Sequence, residues 1–170
     1  MDPNEILRLL RSAKKLVNDS GSSPEAFIIS YVAWEAFQNR IFLVGLCARG
    51  KSVVEAKRIV IDRQIWQLDR KKELFRDVFG SYPENSRFVG KYFREASKLK
   101  KLRDSYIHGA KRVQPDKYRE GAELLISIIE SDDWSVALGD LLSRQGTPSR
   151  VTNPLARLTR NRTIDLNSLK

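Results

Sequence analysis

A long apolar segment, "EAFIISYVAWEAFQNRIFLVGLC" over residues 25–47, constrains the fold of this chain more than any other feature. Its hydrophobic side chains cover nearly all sides of a helical projection, so this helix belongs in the middle of a bundle. Glu35 is the exception, since it projects between Ile28 and Phe42, with Asn39 nearby. A carboxylate there needs a positively charged partner, because an unpaired charge in an apolar stripe is costly. The other interpretation is a glutamate at the edge of the stripe that reaches water.

Helix start and stop signals recur along the rest of the chain. Asp2 is suited to be an N-cap before Pro3, and "SVVE" from Ser52 has the pattern of a capping box. Gly80 and Gly109 follow helical segments, as glycines that end helices do. The predicted helices cover residues 3–17, 24–47, 52 onwards, 69–79, 86–108, 115–130 and 131–144. Alternating strand patterns are almost absent, so we predict an all-α antiparallel bundle that ends in a short helix.

The pattern changes after Arg144. The segment "QGTPSRVTNPLARLTRNRTIDLNSLK" carries Pro, Gly, Thr and Asn without a sustained period, and its arginines outnumber its single aspartate. This composition is typical of a basic, irregular segment that buries little apolar surface. We therefore expect a helical domain over residues 1–144 and a flexible basic tail over residues 145–170.

The net charge of +10 narrows the class of partner. A positive excess favours a polyanion, with nucleic acid ahead of an anionic membrane. No apolar run is long enough to cross a bilayer, and the first residues lack the layout of a signal peptide, so we expect a cytoplasmic protein without membrane contact. Cys47 and His108 are each the only residue of their type. They exclude an internal disulfide and a structural zinc site within one chain, and we expect no metal and no cofactor.

The stretch "KKLRDSYIHG" (residues 100–109) contains the side chains best suited to chemistry. Arg103 projects into the apolar stripe of its predicted helix, where Glu35 of the central helix is its expected partner. Asp104 and His108 are four residues apart, so the carboxylate can accept a hydrogen bond from the imidazole and fix its tautomer. Arg103 and His108 are five positions apart, which puts them roughly 140° apart around the helix.

This geometry suits RNA cleavage if two copies meet about a two-fold axis, because two histidines and two arginines can then line one cleft. A histidine can take the proton from a 2′-hydroxyl, which attacks the adjacent phosphorus, and an arginine can stabilise the charge that develops on the phosphate. The histidine also has a simpler explanation. In the last turn of a helix its positive charge complements the helix dipole, for about 0.3–1 kcal/mol.

Together, "LRDSYIHG" and the apolar helix with its embedded glutamate resemble HEPN domains, whose signature is an arginine and a histidine separated by four to six residues. Arg103, Asp104, His108 and Gly109 match the signature and its usual neighbours. The resemblance covers roughly residues 23–130. It implies a helical bundle, a homodimer in which the two motifs face each other, and metal-independent endoribonuclease activity, often in toxin–antitoxin or antiphage systems.

The resemblance also implies roles for individual residues. Arg103 and His108 would be the catalytic pair, with Asp104 as the polar residue between them. Glu35 and Asn39 of the central helix would hold Arg103 in position without contacting the substrate. We expect the basic residues around the motif to contact the RNA substrate; these are Lys100, Lys101, Lys111 and Arg112.

A regulatory partner is the second kind of partner that the resemblance implies, as an antitoxin or another regulatory protein. HEPN toxins that a nucleotidyltransferase silences carry a tyrosine two positions after the histidine. This chain has Ala110 at that position, so it departs from the pattern that this mode of control requires.

Two other functions are kept as alternatives. Some HEPN domains bind RNA or proteins without catalysis, and RNA binding with no cleavage would favour that interpretation. "GLCARGKS" (residues 45–52) matches a P-loop, for which Lys51→Ala would abolish ATP or GTP binding. However, the parallel strands of a P-loop fold are not predicted. A helix end near Cys47, a turn at Gly50 and a cap at Ser52 explain the same residues.

Overall fold

The computed structural model describes residues 2–19, 23–62, 68–109, 113–146, 154, 157–158 and 164–165. It confirms the predicted all-α fold, with two short strands late in the chain. The helices are α1 (Pro3–Val17), α2 (Ser23–Ala48), α3 (Val53–Asp62), α4 (Leu68–Phe79), α5 (Arg87–Lys98), α6 (Lys100–Ile107), α7 (Pro115–Glu130) and α8 (Asp133–Ser143). A 3₁₀ turn covers Pro83–Asn85, and the strands are β1 (Arg157–Leu158) and β2 (Ile164–Asp165). Every described helix is either too short or too polar to cross a lipid bilayer.

Local capping explains where several helices begin. The carboxylate of Asp2 accepts a hydrogen bond from the backbone N–H of Asn4 at 3.0 Å. Ser52 and Glu55 form the predicted capping box, because the Glu55 carboxylate accepts from the Ser52 N–H at 2.9 Å and the Glu55 N–H donates to the Ser52 hydroxyl at 3.2 Å. Gly80 follows α4 with φ +72°, a conformation that glycine adopts without strain.

The long helix predicted over residues 86–108 is wrong, because the structure divides it into α5 and α6 at Leu99. There the N–H of Leu99 donates to the carbonyl of Ala96, three residues back, at 3.1 Å, which is the tighter bonding of a 3₁₀ turn. The hydroxyl of Ser97 also donates to the carbonyl of Arg94 at 2.8 Å. Such a side-chain bond competes with the helical ladder. Beyond the break, Tyr106 of α6 is 40% exposed.

The described residues form two compact units, and unit 1 comprises mainly Gln38–Lys91 and Asp132–Lys170. Its centre contains an aromatic row in which the ring of Phe75 lies 6.4 Å from that of Phe42 and 4.5 Å from that of Phe79. The helical domain predicted over residues 1–144 stays a prediction.

The P-loop-like segment, residues 45–52, lies within unit 1 and has no loop between a strand and a helix. Gly45 is inside α2, which continues to Ala48, and Gly50 makes the turn with φ +94° before the Ser52 cap. A Cβ atom on Gly45 would come within 2.6 Å of Cζ of Phe79. Gly45 therefore allows α2 to pack closely against the end of α4, which is a structural reason for this glycine.

Unit 2 comprises Asp2–Phe37 and Tyr92–Ser131. Helix α1 packs along α7, where the Lys14 ammonium lies 2.7 Å from the Glu130 carboxylate. Phe27 of α2 is fully buried, and its ring lies 6.0 Å from that of Tyr31 and 5.6 Å from that of Tyr118. All the residues predicted to carry catalysis lie in this unit.

Most of the predicted tail, residues 145–170, lies outside the described residues. The described part contains β1 and β2, which pair antiparallel with Arg157 opposite Asp165. The carbonyl oxygen of Pro154 accepts a hydrogen bond from Nε of Arg40 at 2.9 Å, and both residues belong to unit 1. The tail is therefore joined to the helical part of unit 1 at this point.

Candidate functional site

His108 ends helix α6 and projects its side chain into solvent. Its backbone N–H donates to the carbonyl of Asp104 at 3.0 Å, the last helical bond of α6. Gly109 follows with φ +61°, a left-handed conformation that terminates helices. A short helix with a glycine stop thus presents the only imidazole of the chain at its end.

Arg103 of α6 is half-buried, whereas His108 at the end of this helix is exposed. The carbon of its guanidinium group lies 5.2 Å from the centre of the Tyr31 ring, in a cation–π contact. Its Nε atom lies 3.3 Å from Oδ1 of Asp104. This is an ion pair by distance, but Nε makes no hydrogen bond to any described residue. With its side chain 29% exposed, Arg103 keeps part of its donor fork open to solvent.

The aromatic ring of Tyr31 on α2 packs against the guanidinium group of Arg103. Only 8% of Tyr31 is exposed, and this burial raises the pKa of its phenol, while the positive charge of Arg103 partly opposes the rise in that pKa. Its ring contacts Phe27, and Phe27 contacts Tyr118. The ring of Tyr118 in turn meets Tyr106 of α6 at 5.9 Å. These aromatic contacts join α2, α6 and α7 around the base of Arg103.

The structure corrects the expected partner of Arg103. Glu35 is exposed on α2, and the ion pair of Arg103 within the described residues is with Asp104. The glutamate therefore matches the other interpretation, a carboxylate at the edge of the stripe that reaches water. Its negative charge still acts on Tyr31, whose pKa it raises slightly. Asn39 is half-buried on the same helix.

The expected role of Asp104 also changes. Its carboxylate lies beside Arg103, and no described contact joins it to the imidazole of His108. The reason is geometric, because Arg103 is the adjacent residue and its long side chain bends back to the carboxylate, whereas His108 points out at the helix end. Asp104 therefore neutralises Arg103 in this structure and does not orient His108.

Of the four basic residues predicted to contact RNA, two lie within the described residues and two do not. Lys100 and Lys101 are exposed in the first turn of α6. Lys111 and Arg112 lie outside the described residues, as does Ala110. Two lysines that the sequence analysis missed, Lys98 and Lys117, line a groove beside Lys101. The spacing of Lys98 and Lys101, three residues apart, was a signal for the first of them.

The described residues offer little for a metal ion or a nucleotide phosphate at a P-loop. No three His, Cys, Asp or Glu side chains come together there as ligands. Lys51 is exposed at the turn before α3, outside any phosphate-binding loop geometry. The Arg103–His108 region is therefore the best candidate site of the chain.

No protein-family model matches the chain, and neither a curated protein nor a solved structure is similar to it at a significant level. The likeness to HEPN domains accordingly rests on Arg103, Asp104, His108 and Gly109, and on the apolar helix α2. Arg103 and Asp104 lie on α6, and His108 and Gly109 follow it directly, all in unit 2, where the side chain of Arg103 contacts Tyr31 of α2.

Proposed function

We propose that this chain is a HEPN-type endoribonuclease that acts as a homodimer and cleaves RNA without a metal ion. One observation carries the proposal: a half-buried arginine, held by Tyr31 and Asp104, lies on the same short helix as an exposed terminal histidine. The net charge of +10 fits a polyanionic substrate. The biological setting that the resemblance implies is toxin–antitoxin or antiphage defence in the cytoplasm, with an antitoxin or another regulator as a further partner.

In the proposed mechanism Arg103 binds the phosphate of the scissile bond. A guanidinium group presents five donors in a planar fork that matches two phosphate oxygens. The side chain of Arg103 is 29% exposed, so the solvent-facing part of the fork can donate to a phosphate oxygen, whereas the buried Nε stays beside Asp104. Contact with Tyr31 restricts the fork to one orientation before RNA arrives, which lowers the entropic cost of binding.

His108 exchanges the protons. As a general base it takes the proton of the 2′-hydroxyl, whose oxygen then attacks the adjacent phosphorus and displaces the 5′-oxygen of the next nucleotide. The products are a 2′,3′-cyclic phosphate and a 5′-hydroxyl, and a protonated imidazole can supply the proton that the leaving oxygen needs. Arg103 stabilises the negative charge on the phosphate as the new bond forms.

A second copy of the chain completes the proposed site. Arg103 and His108 of one chain project roughly 140° apart, so they face different directions. A two-fold axis near α6 would bring the histidine of each chain towards the arginine of the other. Exposed apolar side chains occur on the helices that carry the site, namely Val32 on α2 and Ile107 on α6, and they suit an interface between copies.

A binding module without catalysis is the second candidate, and one observation favours it. The carboxylate of Asp104 contacts Arg103, so His108 has no described carboxylate to hold its tautomer. An RNA- or protein-binding domain needs no such arrangement. RNA binding with no cleavage of any RNA would support this candidate over the nuclease.

The test of the proposal is incubation of the purified protein with total tRNA and rRNA in excess EDTA. We expect cleavage products with 2′,3′-cyclic phosphate ends, because the mechanism uses only side chains. The ends are identified by their resistance to enzymatic ligation until the cyclic phosphate is opened and the resulting phosphate is removed to leave a 3′-hydroxyl. Complete loss of cleavage in EDTA, with recovery on adding a divalent cation, would contradict the metal-independent mechanism.

Tyr31 is expected to act as a positioning residue for Arg103. Tyr31→Leu removes the ring under the guanidinium, a contact worth about 0.5–2 kcal/mol, and should lower kcat/KM for RNA by roughly 2- to 30-fold. Tyr31→Phe keeps the ring and should restore most of the activity. A structural role alone predicts that both variants lose activity in proportion to their loss of stability, which thermal unfolding measures in parallel.

Tyr31→Phe should also change how the stability of the protein depends on alkaline pH. The folded-state pKa of Tyr31 is raised above its ordinary value of 10.0, mainly by burial. Stability from this group is therefore complete below about pH 10 and is lost as pH rises through the folded pKa. Tyr31→Phe should show a smaller loss above pH 10. An identical alkaline decline in both proteins would assign the effect to other groups.

A further inference from the structure

A groove of about 480 Å³ crosses the surface of unit 2 at the end of α5 and along α6 and α7. Three lysines line it: Lys98 from α5, Lys101 from α6 and Lys117 from α7. All three are exposed. Glu120 is the only acidic side chain among the described residues that line the groove. The groove is therefore positively charged.

The floor of the groove is apolar. Leu102 of α6 and Leu124 of α7 line it, and Gly121 lies on α7 where that helix faces Leu102. A Cβ on Gly121 would come within 3.3 Å of Cδ2 of Leu102 and 2.9 Å of the Phe27 ring, so only glycine lets α7 approach this closely. The described residues that line the groove include no aromatic ring. A flat ligand would pack against leucine side chains here and would not stack on a ring.

His108 lies just beyond the α6 residues that line the groove. Lys101 and Ser105 line the groove from α6, and His108 comes three residues after Ser105. Residues spaced by four and then three lie on one face of a helix. A strand of nucleic acid that follows this face therefore passes from the lysines to the imidazole within two helical turns, about 11 Å.

We infer that this groove binds a single-stranded segment of the RNA substrate, with phosphates on Lys98, Lys101 and Lys117 and bases over Leu102 and Leu124. The inference rests on the proposed function and names where the substrate lies. A volume of about 480 Å³ is in the range of about 300–1,000 Å³ typical of small-molecule sites, which accommodates unstacked nucleotides but not a duplex. Leucine packing selects no base, so the groove serves binding and alignment, with little sequence preference.

The decisive experiment measures binding by fluorescence anisotropy, with a labelled single-stranded 2′-O-methyl RNA that lacks the attacking hydroxyl and stays intact. The test variant combines Lys98→Gln, Lys101→Gln and Lys117→Gln. The control combines Lys15→Gln, Lys51→Gln and Lys57→Gln, which remove the same charge from exposed positions outside the groove. We expect the groove variant to bind roughly 100-fold more weakly near 0.1 M salt, because each phosphate contact on a single strand contributes a slope of about −0.7 in log K against log salt. Its total slope should fall by about 2.

A pair of single substitutions tests the same groove in the opposite direction, with little risk to folding. Glu120→Gln removes the acidic side chain from the lining and should tighten binding several-fold. Glu123→Gln changes the net charge equally on the exposed side of α7, outside the groove, and should have a smaller effect. Equal effects of the two substitutions would overturn the inference.

The outcomes separate this inference from the proposed function. Equal binding by the groove and control variants overturns the groove, even if the wild type cleaves RNA. Selective loss of binding in the groove variant supports the groove. If that loss accompanies a wild type that cleaves no RNA, the groove stands and the nuclease proposal fails. A wild type that binds no single-stranded RNA overturns the inference outright.

Discussion

His108→Ala is expected to lower the rate of RNA cleavage by about 100- to 10,000-fold, the contribution typical of general acid–base catalysis. The imidazole is the only one in the chain and is exposed at the end of α6, so no other histidine can replace it. Its truncation removes no buried contact, and the melting temperature should stay close to that of the wild type. The measurement is single-turnover cleavage of a defined RNA in excess EDTA.

Arg103→Ala should reduce cleavage to a similar extent, because the charge on the phosphate then develops without its donor fork. Arg103→Lys tests the geometry, since lysine keeps the positive charge beside Asp104 but lacks the planar pair of donors, and it should restore little activity. Arg94→Ala is the matched control, because Arg94 is an exposed arginine of α5 in the same unit. It should retain cleavage.

Wild-type rates in a pure preparation of His108→Ala would contradict the assigned mechanism directly. Activity that follows protein stability across all the variants, Arg94→Ala included, would point to unfolding as the cause. Each variant therefore needs a thermal unfolding curve beside its rate. Cleavage with 2′,3′-cyclic ends by the wild type and Arg94→Ala only would establish the pair of catalytic residues.

Phe27→Ala is expected to produce the largest loss of stability, about 3–5 kcal/mol, through lost burial and the cavity that remains. Phe27 is fully buried in unit 2, and its ring contacts Tyr31 and Tyr118. Its ring also packs against Gly121, where an added Cβ would lie 2.9 Å from it. Because Tyr31 supports Arg103, cleavage should fall even under conditions in which the variant remains folded.

Phe88→Ala is the control for the same chemical change, since Phe88 is 43% exposed and its truncation leaves no closed cavity. We expect it to cost less than about 1 kcal/mol. Urea unfolding followed by circular dichroism gives both free energies of unfolding, provided that the transition slopes agree. A loss of less than about 1 kcal/mol for Phe27→Ala would show that this region of unit 2 is not packed as described.

Local signals predicted the starts of α1 and α3 correctly, because a cap involves residues only two or three positions apart. Asp2 and the Ser52–Glu55 pair make the predicted bonds with their own neighbours in the chain. The apolar character of α2 likewise predicted its burial, since a helix that is hydrophobic on all sides has few stable positions other than a core. Phe27, Phe37 and Phe42 are all fully buried.

The break between α5 and α6 was harder to predict, because weak local hydrogen bonds compete there with those of the helix. The break at Leu99 depends on a single carbonyl three residues back and on a serine hydroxyl, each worth about 1 kcal/mol. Apolar periodicity runs through both helices and does not reveal the interruption. After the break, Tyr106 is 40% exposed and its ring contacts that of Tyr118.

The sequence alone was sufficient for the all-α fold class and for the caps that begin α1 and α3, because these follow from composition and from residues two or three positions apart. Its assignment of catalysis to Arg103 and His108, which rests on their spacing within one helix, stays a prediction. Only the tertiary structure decided that Asp104 pairs with Arg103, that Glu35 reaches water and that Tyr31 lies under the guanidinium. It also brought Lys117 of α7 beside Lys98 and Lys101. The physical reason is that these contacts depend on how α2, α5, α6 and α7 rotate against one another, and that rotation is set by packing around residues such as Phe27 and Gly121, distant in sequence from the site.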